Sequence, residues 1–257
     1  MNLNAGILIP DWGGVPLPGV RALVTTRTAL QGVSSSPYAS FNVATHVGDD
    51  PVAVKENRAR LRTLLPTEPL WLNQVHGVCV VDVATSSNEN GRGVEADASF
   101  TRQPNQVCAV MTADCLPLLL ATSDGACVAV IHAGWRGLLA GIIEATLDKL
   151  NEPPERIHVW LGPAIGSLAF EVGDEVRTLF MQQDVHAQRA FQPHGHESNK
   201  WLCDLYLLAR QRLMRRGIVH ITGGHLCTYT DRQRFYSYRR DGVTGRMVSL
   251  IWREVCT

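Results

Sequence analysis

No stretch of this sequence approaches the roughly 18 consecutive apolar residues that a membrane-crossing helix needs. Neither sign of charge is in excess: 24 Lys and Arg face 24 Asp and Glu. The basic footprint that nucleic acid or an anionic membrane surface would attract is therefore missing, although a small local anion site is not excluded. A disulfide framework is missing as well. Seven cysteines are scattered singly, and an odd, dispersed set fits reduced thiols. The opening "MNLNAGILIPDWGG" lacks the basic region and apolar run of a secretory signal. These absences lead to the expectation of a cytoplasmic protein that works on small molecules, without nucleic acid or membrane as partner, and with a monomer as the expected state.

What is present is enough apolar material for a large core. The chain has 257 residues, 45% of them hydrophobic, near the upper size for one core. No Pro/Gly linker and no internal repeat divides it, so one domain over residues 1–257 is expected. "VRALVTTR" reads as an early strand and "DDPVAVKENRARLRTLL" as a helix, capped by Asp50 with Pro51 in its first turn. "PLWLNQVHGVCVVDV" reads as two strands about a loop, and "ATSSNENGRGVEAD" as a surface loop. "QVCAVMTADCLPLLL" begins as a buried strand that Pro117 should interrupt. The apolar run "GACVAVIHAGW" is a strand. The 3.6-residue period of "GLLAGIIEATLDKL" predicts a helix over 137–150. A further strand at "RIHVWLGPAI" and a short helix at "FEVGDEVRTLF" precede a polar loop over 181–199. A helix over 200–216 ends at Gly217, and "IVHITGG", "FYSYRR" and "RMVSLIWRE" close the chain as three strands. Strands and helices interleave without a clean parallel repeat, which predicts a mixed α/β (α+β) fold.

His76, Cys115 and His132 stand out because each lies where an apolar strand meets Gly, Pro or small residues, a setting in which rigid scaffolds present functional groups. Their spacing is not that of a structural zinc finger. Two imidazoles and a thiolate would nevertheless suit zinc and leave a fourth position for water. A core histidine and an inert buried cysteine are the plainer reading of the same residues.

The motifs "LNQVHG", "TADCLPLLL", "IHAGWRG", "GPAIG" and "CTYTDRQRFYSYRRDGVTGR", with "VTTR", "ASFNVATHVGDD" and "VKENR" nearer the start, resemble the YfiH family across nearly the whole chain. That family is also known as laccase-domain or polyphenol oxidoreductase, and as peptidoglycan editing factor. It includes purine nucleoside phosphorylases related to the immune protein LACC. The resemblance implies Zn(2+) held by His76, Cys115 and His132, which become catalytic residues together with Asp114 as a supporting or proton-transfer group. It implies a four-layer α/β/β/α arrangement, similar to the catalytic domain of cytotoxic necrotizing factor. It also implies phosphorolysis of adenosine, inosine and S-methyl-5'-thioadenosine, with adenosine deaminase activity. Two departures stand out. "ALQG" replaces the "GG" expected after the early "TTR", and no cysteine follows "GPAIG".

Phosphate needs several donors, and arginine supplies two in a fixed fork. Arg136 lies beside Gly134 and Gly137 at a helix start, where backbone amides favour anions; packing over Trp135 is its alternative. Arg27 and Arg239 are further candidates. In a strand, Arg239 and Arg240 would face opposite sides, and the resemblance favours Arg239. Asn73, Phe41 and Tyr229 are candidates for the nucleoside pocket. Two other chemistries stay open. Cys115 and His132 could form a cysteine-hydrolase pair, or a zinc amidohydrolase, that edits peptidoglycan precursors. A copper-dependent polyphenol oxidase, with Cu(2+) in place of zinc, is the other, although two histidines and one cysteine provide no evident multinuclear cluster.

Overall fold

The computed structural model describes residues 6–87, 93–195 and 199–255. Two sheets dominate. The smaller runs in the order β1 (Ile7–Leu8), β2 (Val20–Thr25), β15 (Met247–Arg253), β7 (Cys108–Thr112), with all neighbours antiparallel. The larger runs β14 (His220–Gly223), β10 (Ile157–Leu161), β8 (Leu116–Thr122), β9 (Val128–Ala133), β6 (Ala98–Thr101), β4 (Val80–Asp82). Its outer pairs β10–β14 and β4–β6 are parallel and its inner pairs antiparallel, so the fold is α+β with a mixed sheet. Two minor sheets pair β3 (Leu72–Asn73) with β5 (Val94–Glu95), and β13 (Lys200–Cys203) with both β11 (Glu171–Gly173) and β12 (Phe191–Pro193).

Side chains alternate along a strand, so each sheet has two apolar faces to cover. In β7, Cys108 and Val110 point one way and Ala109 and Met111 the other. In β8, Leu119 and Ala121 meet the first set, together with Val24, Ile251 and Trp160, in a layer between the two sheets. Leu116, Leu118 and Leu120 point outward instead, under helices α2 (Trp135–Ala140), α3 (Ile142–Leu150), α4 (Asp174–Gln183) and α5 (Leu205–Arg215). The outer face of the smaller sheet packs on α1 (Pro51–Arg62) through Leu61, with Leu65 just beyond it. The sequence of layers is thus helix, sheet, sheet, helices.

Helix α1 begins as expected: Asp50 Oδ1 accepts from Val52 N at 2.9 Å and Pro51 fills the first turn. Five expectations need correction. The helix predicted over 137–150 is two helices, broken at Gly141, whose φ of 101° is left-handed and cheap only for glycine. The helix predicted over 200–216 starts at Leu205 with Asp204 as its cap, because residues 200–203 pair as strand β13. Pro117 does not interrupt β8; it is the second strand residue, opposite His132. "FYSYRR" is not a strand. Phe235 and Tyr236 enter the core, and Tyr238–Asp241 forms a helical turn, α6, capped by Ser237. The polar stretch 181–199 holds the end of α4, a 3-10 helix at Val185–Ala190 and β12, with residues 196–198 outside the described set. The centre of the expected surface loop, 88–92, also lies outside the described residues. The six described cysteines are all free thiols. Among the described residues, no helix is long and apolar enough to cross a membrane.

Candidate metal centre

Strand register explains how Cys115 meets His132. The chain leaves β7 in one sheet, passes through Ala113, Asp114 and Cys115, and enters β8 in the other. Antiparallel pairing sets Leu116 opposite Ala133 and Pro117 opposite His132, so Cys115 reaches the end of β9 where Gly134 follows. His76 comes from the turn between β3 and β4 and holds a left-handed φ of 60°. One donor atom from each of His76, Cys115 and His132 lies within 4.8 Å of the others, a grouping able to hold a metal ion. Cys115 Sγ is 3.7 Å from His76 Nε2, and the two imidazole rings meet edge-on with centroids 4.7 Å apart.

Glycine makes room for this. A Cβ at Gly134 would sit 2.6 Å from His76 Cδ2 and 3.1 Å from Cys115 Sγ. The closeness is organised by Asp97, a fully buried residue whose carboxylate accepts from the backbone amides of Val75, His76 and Gly77. Its Oδ1 also lies 2.7 Å from His132 Nδ1. With Nδ1 engaged, Nε2 of His132 is the nitrogen left for a ligand. Asp97 therefore fixes the position of one ligand and the turn bearing another.

Burial works against charge on all three of these groups, and specific partners outweigh it. The Cys115 thiol is pulled down to about 6 by His132 and His76. The His132 imidazole is pushed up to about 9 by Cys115 and by its bond to Asp97. Asp97 is held below the usual carboxylate range by His132 and the backbone amides. Thiol and imidazole each favour the charged form of the other, so metal binding there competes with a proton.

The side chains of His76, Cys115 and His132 line a cleft of about 470 Å³, together with His46, Asn73, Gln74, Tyr238 and Arg246. Gln74 is fastened to the strand end, donating to Met111 O at 2.9 Å and accepting from Met111 N at 2.8 Å. A second cleft of about 230 Å³ shares Cys115 and Tyr238 with the first and contains Trp135, Arg136, Phe170 and Arg239. Arg136 is exposed and stacks on Trp135 at 4.5 Å. Arg239 donates to Glu171 O at 2.8 Å and lies over Phe170.

Other candidates fall elsewhere. Phe41 is fully buried in the core beneath the smaller sheet. Arg27 turns to the carbonyls of Ala39 and Arg232 and lies over the Tyr236 ring. Tyr229 is part-exposed, and its carbonyl accepts from Arg240. None of these three lines either cleft. Arg240, read in a strand on the side opposite Arg239, instead follows the Ser237 cap in a helical turn, pairs with Asp241 and donates to the carbonyls of Thr228, Tyr229 and Phe235. The Asp114 carboxylate is taken up by Thr228 Oγ1, Ser237 Oγ and Arg239 N, which ties the α6 segment behind Cys115.

Sequence reasoning missed Asp97, His46, Tyr238 and Arg246. Asp97 ends a stretch read as a surface loop. His46 sits inside a motif quoted only for resemblance, and Tyr238 and Arg246 in segments read as closing strands, with nothing local to mark them.

The family model described as multi-copper polyphenol oxidoreductase laccase matches residues 21–254. The chain is 51% identical over 249 residues to a Shigella flexneri protein named purine nucleoside phosphorylase YfiH, covering 96% of this chain and 98% of that one. It is 50% identical over 248 residues to a Pseudomonas aeruginosa protein also named as a purine nucleoside phosphorylase, with the same coverage. A Neisseria meningitidis crystal structure superposes with a TM-score of 0.89 at 45% identity, covering 97% of this chain and all of the other.

Proposed function

The chain belongs to the YfiH family, and from that premise we propose that it is a zinc-dependent purine nucleoside phosphorylase. Its substrates are adenosine, inosine and S-methyl-5'-thioadenosine, it deaminates adenosine as a second activity, and it works in the cytoplasm. The observation that carries the reading is the His76–Cys115–His132 group at the wall of a cleft large enough for a small molecule. The donors fit the ion. Two imidazoles and a thiolate, grouped within 4.8 Å and with Cys115 Sγ 3.7 Å from His76 Nε2, are the nitrogen and sulfur donors that would hold zinc. When bound, zinc supplies a Lewis acid and an ionisable water. The chain's own residues hold the arrangement: Asp97 keeps His132 in the tautomer that presents Nε2, and the fastened Gln74 amide leaves Asn73 beside the cleft for nucleoside contact. Arg136 and Arg239 flank the adjoining cleft and stay candidates for substrate contact; the positions of Arg27, Phe41 and Tyr229 do not favour that role.

A cysteine-hydrolase reading has one observation behind it, the closeness of Cys115 to two imidazoles, which draws the thiol down and pushes the His132 ring up, and it matches the proposed likeness to the necrotizing-factor catalytic domain. Copper oxidase chemistry is less well supported, because one three-ligand group is found among the described residues and a multinuclear cluster needs more. The test is product chromatography on zinc-loaded protein with adenosine, with and without phosphate. Adenine formed only with phosphate is the expected result, with inosine appearing without phosphate as the second product. Amide cleavage of a peptidoglycan precursor by metal-free protein, with neither nucleoside product, would overturn the reading.

A further inference from the structure

Phosphorolysis needs an anion site facing the metal group, and the arginines that stood out in the sequence do not supply one in that cleft. Arg27 and Arg240 are spent on backbone carbonyls. Arg136 and Arg239 lie in the second cleft, beyond Tyr238. Arg246 is different. It lines the same cleft as His76, Cys115 and His132, and so does His46.

The two are brought there by one buried side chain. Asn42, fully buried, accepts from Arg246 N at 2.9 Å and from Ala44 N at 3.0 Å through its Oδ1, and donates to Ala44 O at 3.1 Å. This clamps the start of β15 to the segment that carries His46. Gly245 permits the approach, since a Cβ there would lie 2.7 Å from the Tyr236 ring and 2.9 Å from Asn42 Cβ. The Arg246 guanidinium is aimed by Nη1, which donates to Thr244 O at 2.9 Å and Gly245 O at 3.1 Å. Nε and Nη2 have no protein hydrogen-bond partner, and no carboxylate lies within ion-pair distance, among the described residues. A fixed, partly buried fork with Nε and Nη2 still open to a partner is suited to receive an oxyanion.

We infer that Arg246 and His46 form the anion subsite of the metal cleft and bind a tetrahedral oxyanion, orthophosphate in the proposed reaction. The subsite rests on the phosphorylase reading for the identity of its ligand, but not for its existence. Burial, then the charges of Arg246 and Arg58, holds His46 below its ordinary value.

The test uses zinc-loaded protein with Arg246→Gln, Arg246→Lys and His46→Gln, with Arg136→Gln for comparison. Two quantities are read: the KM for orthophosphate at saturating adenosine, and the shift in melting temperature produced by orthophosphate alone. Losing a charge-assisted contact of this kind raises the phosphate KM about 30-fold or more in Arg246→Gln. Arg246→Lys, which keeps the charge without the fork, falls between wild type and Arg246→Gln and guards against misfolding. Zinc content and adenosine KM stay near wild type in both. An unchanged phosphate KM in folded Arg246→Gln, or a larger rise in Arg136→Gln, overturns the assignment. If wild type releases no base with phosphate, the nucleoside reading fails alone. The melting shift then decides the subsite, which stands if the shift is lost in Arg246→Gln and falls if it is kept. Adenosine 5'-monophosphate separates a free phosphate from an ester: a shift with the ester and none with orthophosphate also overturns it.

Discussion

Asp97 joins three backbone amides and one imidazole in a single buried carboxylate, so it governs both the His76 turn and the His132 ring. Asp97→Asn keeps the shape but removes the charge. Loss of such a supporting partner typically weakens metal binding about 10–100-fold. Competition with a chromogenic chelator should show that loss, and an unchanged affinity would remove Asp97 from the account. Gly134 makes a complementary case. Its φ of −66° and ψ of 159° suit any residue, so alanine there adds no backbone strain, only a Cβ pressed against His76 and Cys115. Gly134→Ala is expected to lose bound metal while keeping a near-native melting temperature in the metal-free state. Full metal content in that variant would mean the ligands are looser than described. Strand ends and glycines drew attention to His76, Cys115 and His132, but it was the family resemblance that joined them as one metal-binding set, and the structure brings them together. Asp97 was not legible, since a carboxylate 35 residues from its histidine at the end of a polar loop looks like any solvated acid. Arg246 was hidden for the opposite reason: nothing in "GRM" separates a cleft arginine from a surface one, and only the unpaired guanidinium does.

At the scale of elements, apolar periodicity located most strands and helices but not their ends. Gly141 sits inside an unbroken helical stripe, and its left-handed φ is invisible to hydrophobic pattern. Residues 200–203 carry a helix-compatible pattern, yet pairing with β11 and β12 claims them for a strand. Tertiary pairing overrode local propensity at 200–203, whereas in "FYSYRR" core burial of Phe235 and Tyr236 and the Ser237 cap did so. The parallel pair β10–β14 carries a pH signature. His158 and His220 face each other in register with their rings stacked at 4.4 Å. Burial, and secondarily His220, lowers the His158 value. A depressed folded value means the neutral ring is favoured in the native state. Its contribution is therefore fully present above the unfolded value near 6.5 and is lost as pH falls through the folded value. Urea midpoints measured from pH 8 to pH 5 should fall more steeply in wild type than in His158→Gln. Parallel profiles would show that this pair does not titrate with folding.

At the scale of the whole molecule, the layered architecture explains why the site lies where it does. The chain changes sheets at Ala113–Cys115, and the faces that elsewhere close on one another through Val110, Ile251, Leu119 and Val130 give way at the strand ends to a cleft lined by polar groups. Alternation within each strand announced two-faced sheets, whereas which faces would meet depends on pairings between residues over 100 positions apart, such as Ser249 with Val110. The central claim, that this cleft joins a nucleoside to phosphate beside the metal group, is tested most directly by following phosphorus. In a 31P NMR time course with zinc-loaded protein, adenosine and orthophosphate, the account predicts a sugar 1-phosphate resonance that grows in step with released adenine, one orthophosphate consumed for each base, and no growth in His132→Ala. Adenine released while the orthophosphate signal stays constant, or a sugar phosphate still formed by His132→Ala, would contradict it.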